Sequence, residues 1–247
     1  MMEELHVPVE LMMEHAGLCL ARTAIIFGGN TSRHFIVIAG PGNNSGGGLV
    51  AARRLHAWEQ SVTVIVPKGT DGLRPASKHQ LSRVLASGVE VTKSVPTTLK
   101  PDVSSILLDA YLGYGFTGRD DSISDAVFCL LRRHPSVISL DAPSGLDVST
   151  GENVGGLKPK LIVTVAFVKQ GLLSTSPENV GELLVCDIGV PTSVFGSRLG
   201  IDWRSPLKKE SLRDLSQAFS ENPIQEVESL ADEGDCLCWL PRRQPIS

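Results

Sequence analysis

The sequence predicts an α/β fold, a mostly parallel sheet with helices on both faces. Three observations carry that prediction. Short apolar runs alternate with stretches of helical spacing. The apolar runs are continuous, as in strands buried on both faces, rather than alternating with polar residues. Polar or glycine-rich segments follow several of the runs directly. The 247-residue chain is 42% hydrophobic, enough for one large core, and doubly wound sheets reach this length without dividing.

The elements follow in order. Residues 7–26 read as one helix, with Pro8 near its start and Gly28-Gly29 past its end. His34-Phe35-Ile36-Val37-Ile38-Ala39 is a β-branched strand, and residues 49–58 form a helix leading into a strand at 61–66. Strands are expected at 105–109, 136–141, 161–166 and 182–187, and helices at 76–86 and 124–133. Crossovers between parallel strands are right-handed. From Lys208 onward charge rises and apolar periodicity weakens. Residues 1–206 are therefore expected as the core domain, and 207–247 as a peripheral helix with a flexible tail.

Composition narrows the partners. Net charge is −4 and no basic stretch is long enough to track a phosphate backbone, which argues against nucleic acid. No uninterrupted apolar run of about 18 residues is seen, so no membrane crossing is expected. Glu3, Glu4 and His6 stand where a secretory signal would carry positive charge and then an apolar core. A cytoplasmic location is the expectation. Cys19, Cys129 and Cys186 fall in apolar helix or strand patterns and read as buried, reduced thiols. Cys236 and Cys238 have no histidine after them and do not suggest zinc.

Ligands of open parallel sheets bind beyond the carboxyl ends of the strands. Four strands deliver polar groups there. The first runs into Gly40-Pro41-Gly42-Asn43-Asn44-Ser45-Gly46-Gly47-Gly48, the strand at 105–109 ends on Asp109, the next runs into Asp141-Ala142-Pro143-Ser144-Gly145, and the next into Lys169-Gln170-Gly171. The glycine turn suits phosphate: glycine permits positive φ and close backbone approach, and the following helix turns its free N–H groups toward an anion. It lacks the Gly-Lys-Ser/Thr of a P-loop and the usual dinucleotide fingerprint. The Asn43-Asn44 amides suit a ligand hydroxyl or a hard cation. A second loop, Gly113-Tyr114-Gly115-Phe116-Thr117-Gly118-Arg119, again suits phosphate, which points to a ligand with two of them.

These segments, with Met13-Glu14-His15-Ala16-Gly17 before them and Cys186-Asp187-Ile188-Gly189-Val190-Pro191 after, resemble the NAD(P)H-hydrate epimerase family, the YjeF N-terminal domain, in the correct order over residues 5–195. The resemblance does not reach the dehydratase domain fused on in some relatives. It implies a three-layer α/β/α Rossmann-like fold and repair of a damaged cofactor, the interconversion of the R and S forms of hydrated NADH or NADPH. It implies a bound potassium ion, and a homodimer is common in the family. On this resemblance Asn43, Asn44, Ser45, Gly46, Gly47, Gly113, Tyr114, Gly115, Phe116, Thr117, Gly118, Arg119 and Asp141 fall on ligand-binding positions, and Asn44, Asp109 and Ser144 on potassium positions. Asp141 is the expected proton-transfer carboxylate, with Lys169 beside it stabilising charge. Two positions depart from the family pattern: Ser45 stands for a glycine and Gly47 for an aspartate. A positive φ at Ser45 would strain the turn. Catalytically silent relatives exist in messenger-RNA decapping and apolipoprotein binding. The retention of Asn43, Asn44, Asp109, Asp141, Ser144 and Lys169 favours an enzyme over such a module.

Overall fold

The computed structural model describes residues 6–29, 33–96, 105–116, 122–190 and 237–240. Its strands are β1 (His34–Ala39), β2 (Ser61–Ile65), β3 (Glu90–Thr92), β4 (Ser105–Ala110), β5 (Val137–Leu140), β6 (Leu161–Val165), β7 (Glu182–Cys186) and β8 (Leu237–Leu240). They form one sheet in the order β3-β2-β1-β4-β5-β6-β7-β8. The first seven pair in parallel, and β8 pairs antiparallel with β7. The order reverses between β1 and β4, the switch point beyond whose carboxyl ends sheets of this kind bind ligands. Neither β3 nor β8 is a sequence expectation. β3 is only three residues long, and β8 lies within the stretch expected as a tail. The predicted peripheral helix, Cys236 and most of that tail lie outside the described residues.

The helices are α1 (Val9–Gly28), α2 (Asn44–Ala57), α3 (Pro75–Ala86), α4 (Ser122–Arg133) and the short α5 (Gln170–Ser174). Alternate residues of each buried strand serve opposite layers, as the two-residue strand period requires. Phe35, Val37, Ile106, Leu108, Ile138 and Leu140 pack with Leu20, Ala24, Leu49 and Leu55 of α1 and α2. Ile36, Ile38 and Leu107 pack with Val127, Phe128 and Leu131 of α4 on the other face. Ile162 joins Ala142, Leu146 and Leu172 in a smaller cluster that includes α5. This is the three-layer α/β/α arrangement.

α1 is 20 residues long and apolar enough by length and composition to cross a membrane, but it carries Glu10, Glu14 and Arg22 and half of its apolar stretch is buried against the rest of the protein, as in a core helix. One expectation is corrected here. The helix expected at 49–58 begins at Asn44 instead, so Ser45 to Gly48 are its first turns. None of Gly40, Gly42, Ser45, Gly46, Gly47 and Gly48 has positive φ. Their smallness serves close packing rather than a left-handed turn. A Cβ on Gly40 would overlap the Tyr111 carbonyl oxygen, and one on Gly48 would collide with Ala110. A Cβ on Gly47 would lie 2.7 Å from Leu140 Cδ2. Ser45 is unstrained: it is helical and buried, and its hydroxyl donates to Gly42 O at 2.7 Å. Cys19 and Cys186 are buried and not in disulfides, as expected, and Cys129 is half-buried and likewise not in a disulfide.

α1 and α2 are also tied by charge. Arg53 donates to both Glu14 carboxylate oxygens at 2.6 and 2.8 Å, and Arg54 donates to one at 2.9 Å. Burial pushes the Glu14 carboxyl up, but the two guanidiniums outweigh it and hold the group below the usual carboxylate range.

Gly48→Ala should therefore destabilise the protein by about 1–3 kcal/mol, despite the better helix propensity of alanine. Gly42→Ala, where the nearest atom to an added Cβ lies 4.0 Å away, should stay within about 0.5 kcal/mol of wild type in urea unfolding. Glu14→Gln should cost about 1 kcal/mol at neutral pH. Because the native carboxyl is held low, the stabilisation from Glu14 is present above its unfolded-state value and is lost as pH falls through the native one. Thermal melts of the variant and wild type should thus converge on acidification.

Candidate functional site

The site grows from the ends of β1, β4, β5 and β6. Two left-handed residues mark it. Asp141, just past β5, has φ +70°, and Ala166, just past β6, has φ +68°. A non-glycine residue holds such a conformation where surrounding contacts over-determine it. Those contacts are visible. Asp141 N donates to Val163 O at 2.7 Å, and Ala166 N donates to Cys186 O at 2.8 Å.

The Asp141 carboxylate is held unequally. Its Oδ1 accepts from Lys169 Nζ and, at 3.3 Å, from Val165 N. Among the described residues its Oδ2 accepts only from Tyr114 N, at 3.1 Å. A carboxylate oxygen accommodates about two donors, so these residues leave one acceptor direction of Oδ2 unfilled. Lys169 is 7% exposed and has no such spare capacity. Its three ammonium hydrogens are matched by Asp141 Oδ1, Thr164 Oγ1 at 3.0 Å and Val165 O at 2.7 Å, and the Phe167 ring lies 5.4 Å from Nζ. Lys169 therefore fixes Asp141 and offers no proton of its own to a ligand.

A second cluster lies beneath. Asp109, at the end of β4, is fully buried. It accepts from Ser144 N and Ser139 Oγ, both at 2.9 Å, from Tyr111 N at 3.3 Å and from the Ser144 hydroxyl. Burial pushes its carboxyl above the usual range, and these four hydrogen bonds offset only part of that. Asn44 Nδ2 donates to Leu112 O and Leu140 O, each at 3.0 Å. Leu112 N donates to Ser144 Oγ at 2.9 Å. The expected potassium residues Asn44, Asp109 and Ser144 are thus brought together, with two main-chain carbonyls beside them.

The remaining expected ligand residues surround these clusters. Asn43 is exposed at the N-terminus of α2. The Cβ directions of Gly46 and Gly47 face Met13 and Leu140, so only their backbone is free to meet a ligand. A side chain on Gly113 would press on Asn44, which keeps this loop close to the α2 start. Phe116 is buried, and its N–H donates to Gly113 O at 3.0 Å. Two N–H groups of the second glycine loop are already committed, that of Tyr114 to Asp141 and that of Phe116 to Gly113 O. Thr117, Gly118 and Arg119 lie outside the described residues.

The sequence reading missed Thr164 and Ser139. Each is fully buried and hydrogen-bonds a site side chain, Lys169 and Asp109 respectively. Their signal was a lone hydroxyl residue within an otherwise apolar buried strand. Among the described residues, no cluster of three or more His, Cys, Asp or Glu side chains could hold a metal ion. The oxygens around Asn44 and Asp109 are amide, hydroxyl, carboxylate and carbonyl, a set suited to a hard monovalent cation.

Comparison with known proteins identifies the family and supports the fold. The family model described as YjeF-related protein N-terminus matches residues 9–171. A protein of Dehalogenimonas lykanthroporepellens named NAD(P)H-hydrate epimerase is 39% identical over 203 residues, covering 79% of each chain. A protein of Hyperthermus butylicus named bifunctional NAD(P)H-hydrate repair enzyme is 34% identical over 187 residues, and the match covers 73% of this chain but 34% of that longer protein. A yeast crystal structure superposes with a TM-score of 0.68 at 22% identity, over 84% of this chain and 90% of the yeast one, which supports the fold. The chain belongs to the YjeF N-terminal family.

Proposed function

We propose that this chain is an NAD(P)H-hydrate epimerase, an isomerase that interconverts the R and S forms of hydrated NADH or NADPH. The observation that carries the reading is the unequal hold on Asp141. One carboxylate oxygen is tied down by Lys169 and Val165 N, and among the described residues the other accepts only from Tyr114 N, beyond the carboxyl ends of β4 and β5. The two carboxylate oxygens then have separate tasks, orientation for Oδ1 and proton transfer for Oδ2.

The reaction is redox-neutral. The carboxyl of Asp141 gives its proton to the departing hydroxyl. The C–O bond breaks with its electron pair on oxygen, water leaves, and the ring nitrogen lone pair forms a C=N bond. Water then adds to the opposite face of the iminium, returning that electron pair to nitrogen and giving its extra proton to solvent. The Asp141 carboxylate takes a proton back from solvent. Run in the other sense, the same carboxylate deprotonates the attacking water. The start of α2, with Asn43 and Asn44, and the loop at 113–116 flank this carboxylate and are the proposed seat of the dinucleotide phosphates.

A potassium ion is our proposal for the second cluster, because among the described residues Asp109 is a fully buried carboxylate with no basic side chain among its hydrogen-bond partners, and hydroxyl, amide and carbonyl oxygens lie around it. Asn44, Asp109 and Ser144 would hold the ion. It would supply countercharge that fixes the loops after β4 and β5.

Asp141→Asn keeps a residue type tolerant of positive φ and removes the proton carrier. It should lower kcat by about 10²–10⁴-fold for R-enriched hydrated NADH in potassium buffer, with far-UV circular dichroism retained. Wild-type turnover in the variant would overturn the assignment. Dinucleotide binding by the wild-type protein without acceleration of epimerisation would instead identify a silent nucleotide-binding module. Potassium should raise the wild-type Tm relative to tetramethylammonium at equal ionic strength, and Asp109→Asn should abolish that difference.

A further inference from the structure

Thr164 is a buried hydroxyl that the proton-transfer scheme leaves unused. It stands next to the last residue of β6 and has no exposed surface. Ile162, two residues earlier on the same face of the strand, belongs to an apolar cluster with Ala142 and Leu172. Valine has the shape of threonine and suits such a strand at least as well. The hydroxyl is therefore to be explained by what it bonds. It accepts from Lys169 Nζ at 3.0 Å and donates to Phe167 O at 3.5 Å. The second contact is long, so the firm tie is to the lysine. The three acceptors around Lys169 Nζ differ in kind. Asp141 Oδ1 belongs to the group that has to be positioned. Val165 O belongs to the turn around the left-handed Ala166. Of the three, only Thr164 Oγ1 comes from a stiff side chain on a strand that is paired on both sides.

Resting on the epimerase reading, we propose that Thr164 is a positioning residue for the reaction: its hydroxyl sets where the Lys169 ammonium sits, and the ammonium sets the direction of the Asp141 carboxylate. A buried ammonium is costly unless its hydrogens are matched. With the Thr164 acceptor removed, the ammonium moves toward Val165 O or draws in water. Either change shifts the donor on Asp141 Oδ1 and turns the carboxylate, whose other oxygen transfers the proton. Turnover depends steeply on that direction, since a misplacement of about 1 Å can cost about 10²-fold. Thr164 has no surface to offer a substrate, so its influence falls on turnover and not on dinucleotide binding.

The test uses the full chain. Thr164→Val keeps the shape and removes the acceptor. Thr164→Ser keeps the acceptor and drops a methyl, and Thr164→Cys keeps a weak acceptor of similar size. In R-to-S conversion of hydrated NADH, Thr164→Val should lower kcat about 5- to 50-fold with KM within about twofold of wild type. Thr164→Ser should stay within about threefold of wild type in kcat, and Thr164→Cys should fall between the two. A second readout needs no turnover. In proton–nitrogen correlation spectra the Lys169 ammonium, identified by its loss in Lys169→Met, should give a slowly exchanging signal in wild type and Thr164→Ser and a broadened one in Thr164→Val. If wild type epimerises while Thr164→Val keeps its kcat, this proposal is overturned and the epimerase reading stands. If wild type does not epimerise, that reading fails. A broadened ammonium signal in Thr164→Val that recovers in Thr164→Ser then still supports the hold on Lys169, and an unchanged signal overturns it. Equal losses of kcat in the serine and valine variants would assign the effect to the threonine methyl and overturn the proposal. Should Thr164→Val fail to fold, Thr164→Cys is read by the same criteria.

Discussion

The close approach of the segment after β1 to the segment after β4 is the constraint on which the site depends. No side chain fits at Gly40, because the Tyr111 carbonyl occupies the space, and none fits at Gly48, because Ala110 does. That contact draws the start of α2 onto the end of β4. Only at that separation can Asn44 reach Leu112 O and Leu140 O together. Through Leu112 the contact extends to Ser144, and through Ser144 to Asp109. The potassium-type cluster is therefore built by backbone proximity first and by side-chain chemistry second.

The setting of the Asp141 carboxylate is built differently. Asp141 and Ala166 leave adjacent parallel strands and both turn into the left-handed region. This aims the carboxylate and the Val165 carbonyl at a shared point, where Lys169 joins them. A buried ammonium costs heavily unless its hydrogens are matched, and here all three are. The lysine thus acts as a brace. It fixes one oxygen of the carboxylate and makes no contact with the other.

Much of the fold was legible because the strands are buried on both faces and therefore read as unbroken apolar runs. β1, β4, β5, β6 and β7 fall within a residue of their expected positions. β3 escaped because Glu90-Val91-Thr92 is short and partly exposed, with no apolar run to see. The start of α2 was misplaced because Ser45-Gly46-Gly47-Gly48 has poor helix propensity and tertiary packing overrides it. The site residues were legible as polar groups at strand ends. Their division of labour was not, since periodicity does not say which oxygen of Asp141 is tied or that Lys169 has no hydrogen to spare.

The pairing of Gly47 with Leu140 has a consequence for how this site can change. The Leu140 methyl at 2.7 Å from an added Cβ fills the space that a side chain on this turn of α2 would enter. The two positions lie 93 residues apart in the chain, on a helix and a strand, yet they share one small volume. A side chain at position 47 would have to displace that methyl, so the leucine at 140 sets how much room this turn of α2 has. A substitution at either position changes the volume open to the other, and the two positions should couple rather than add.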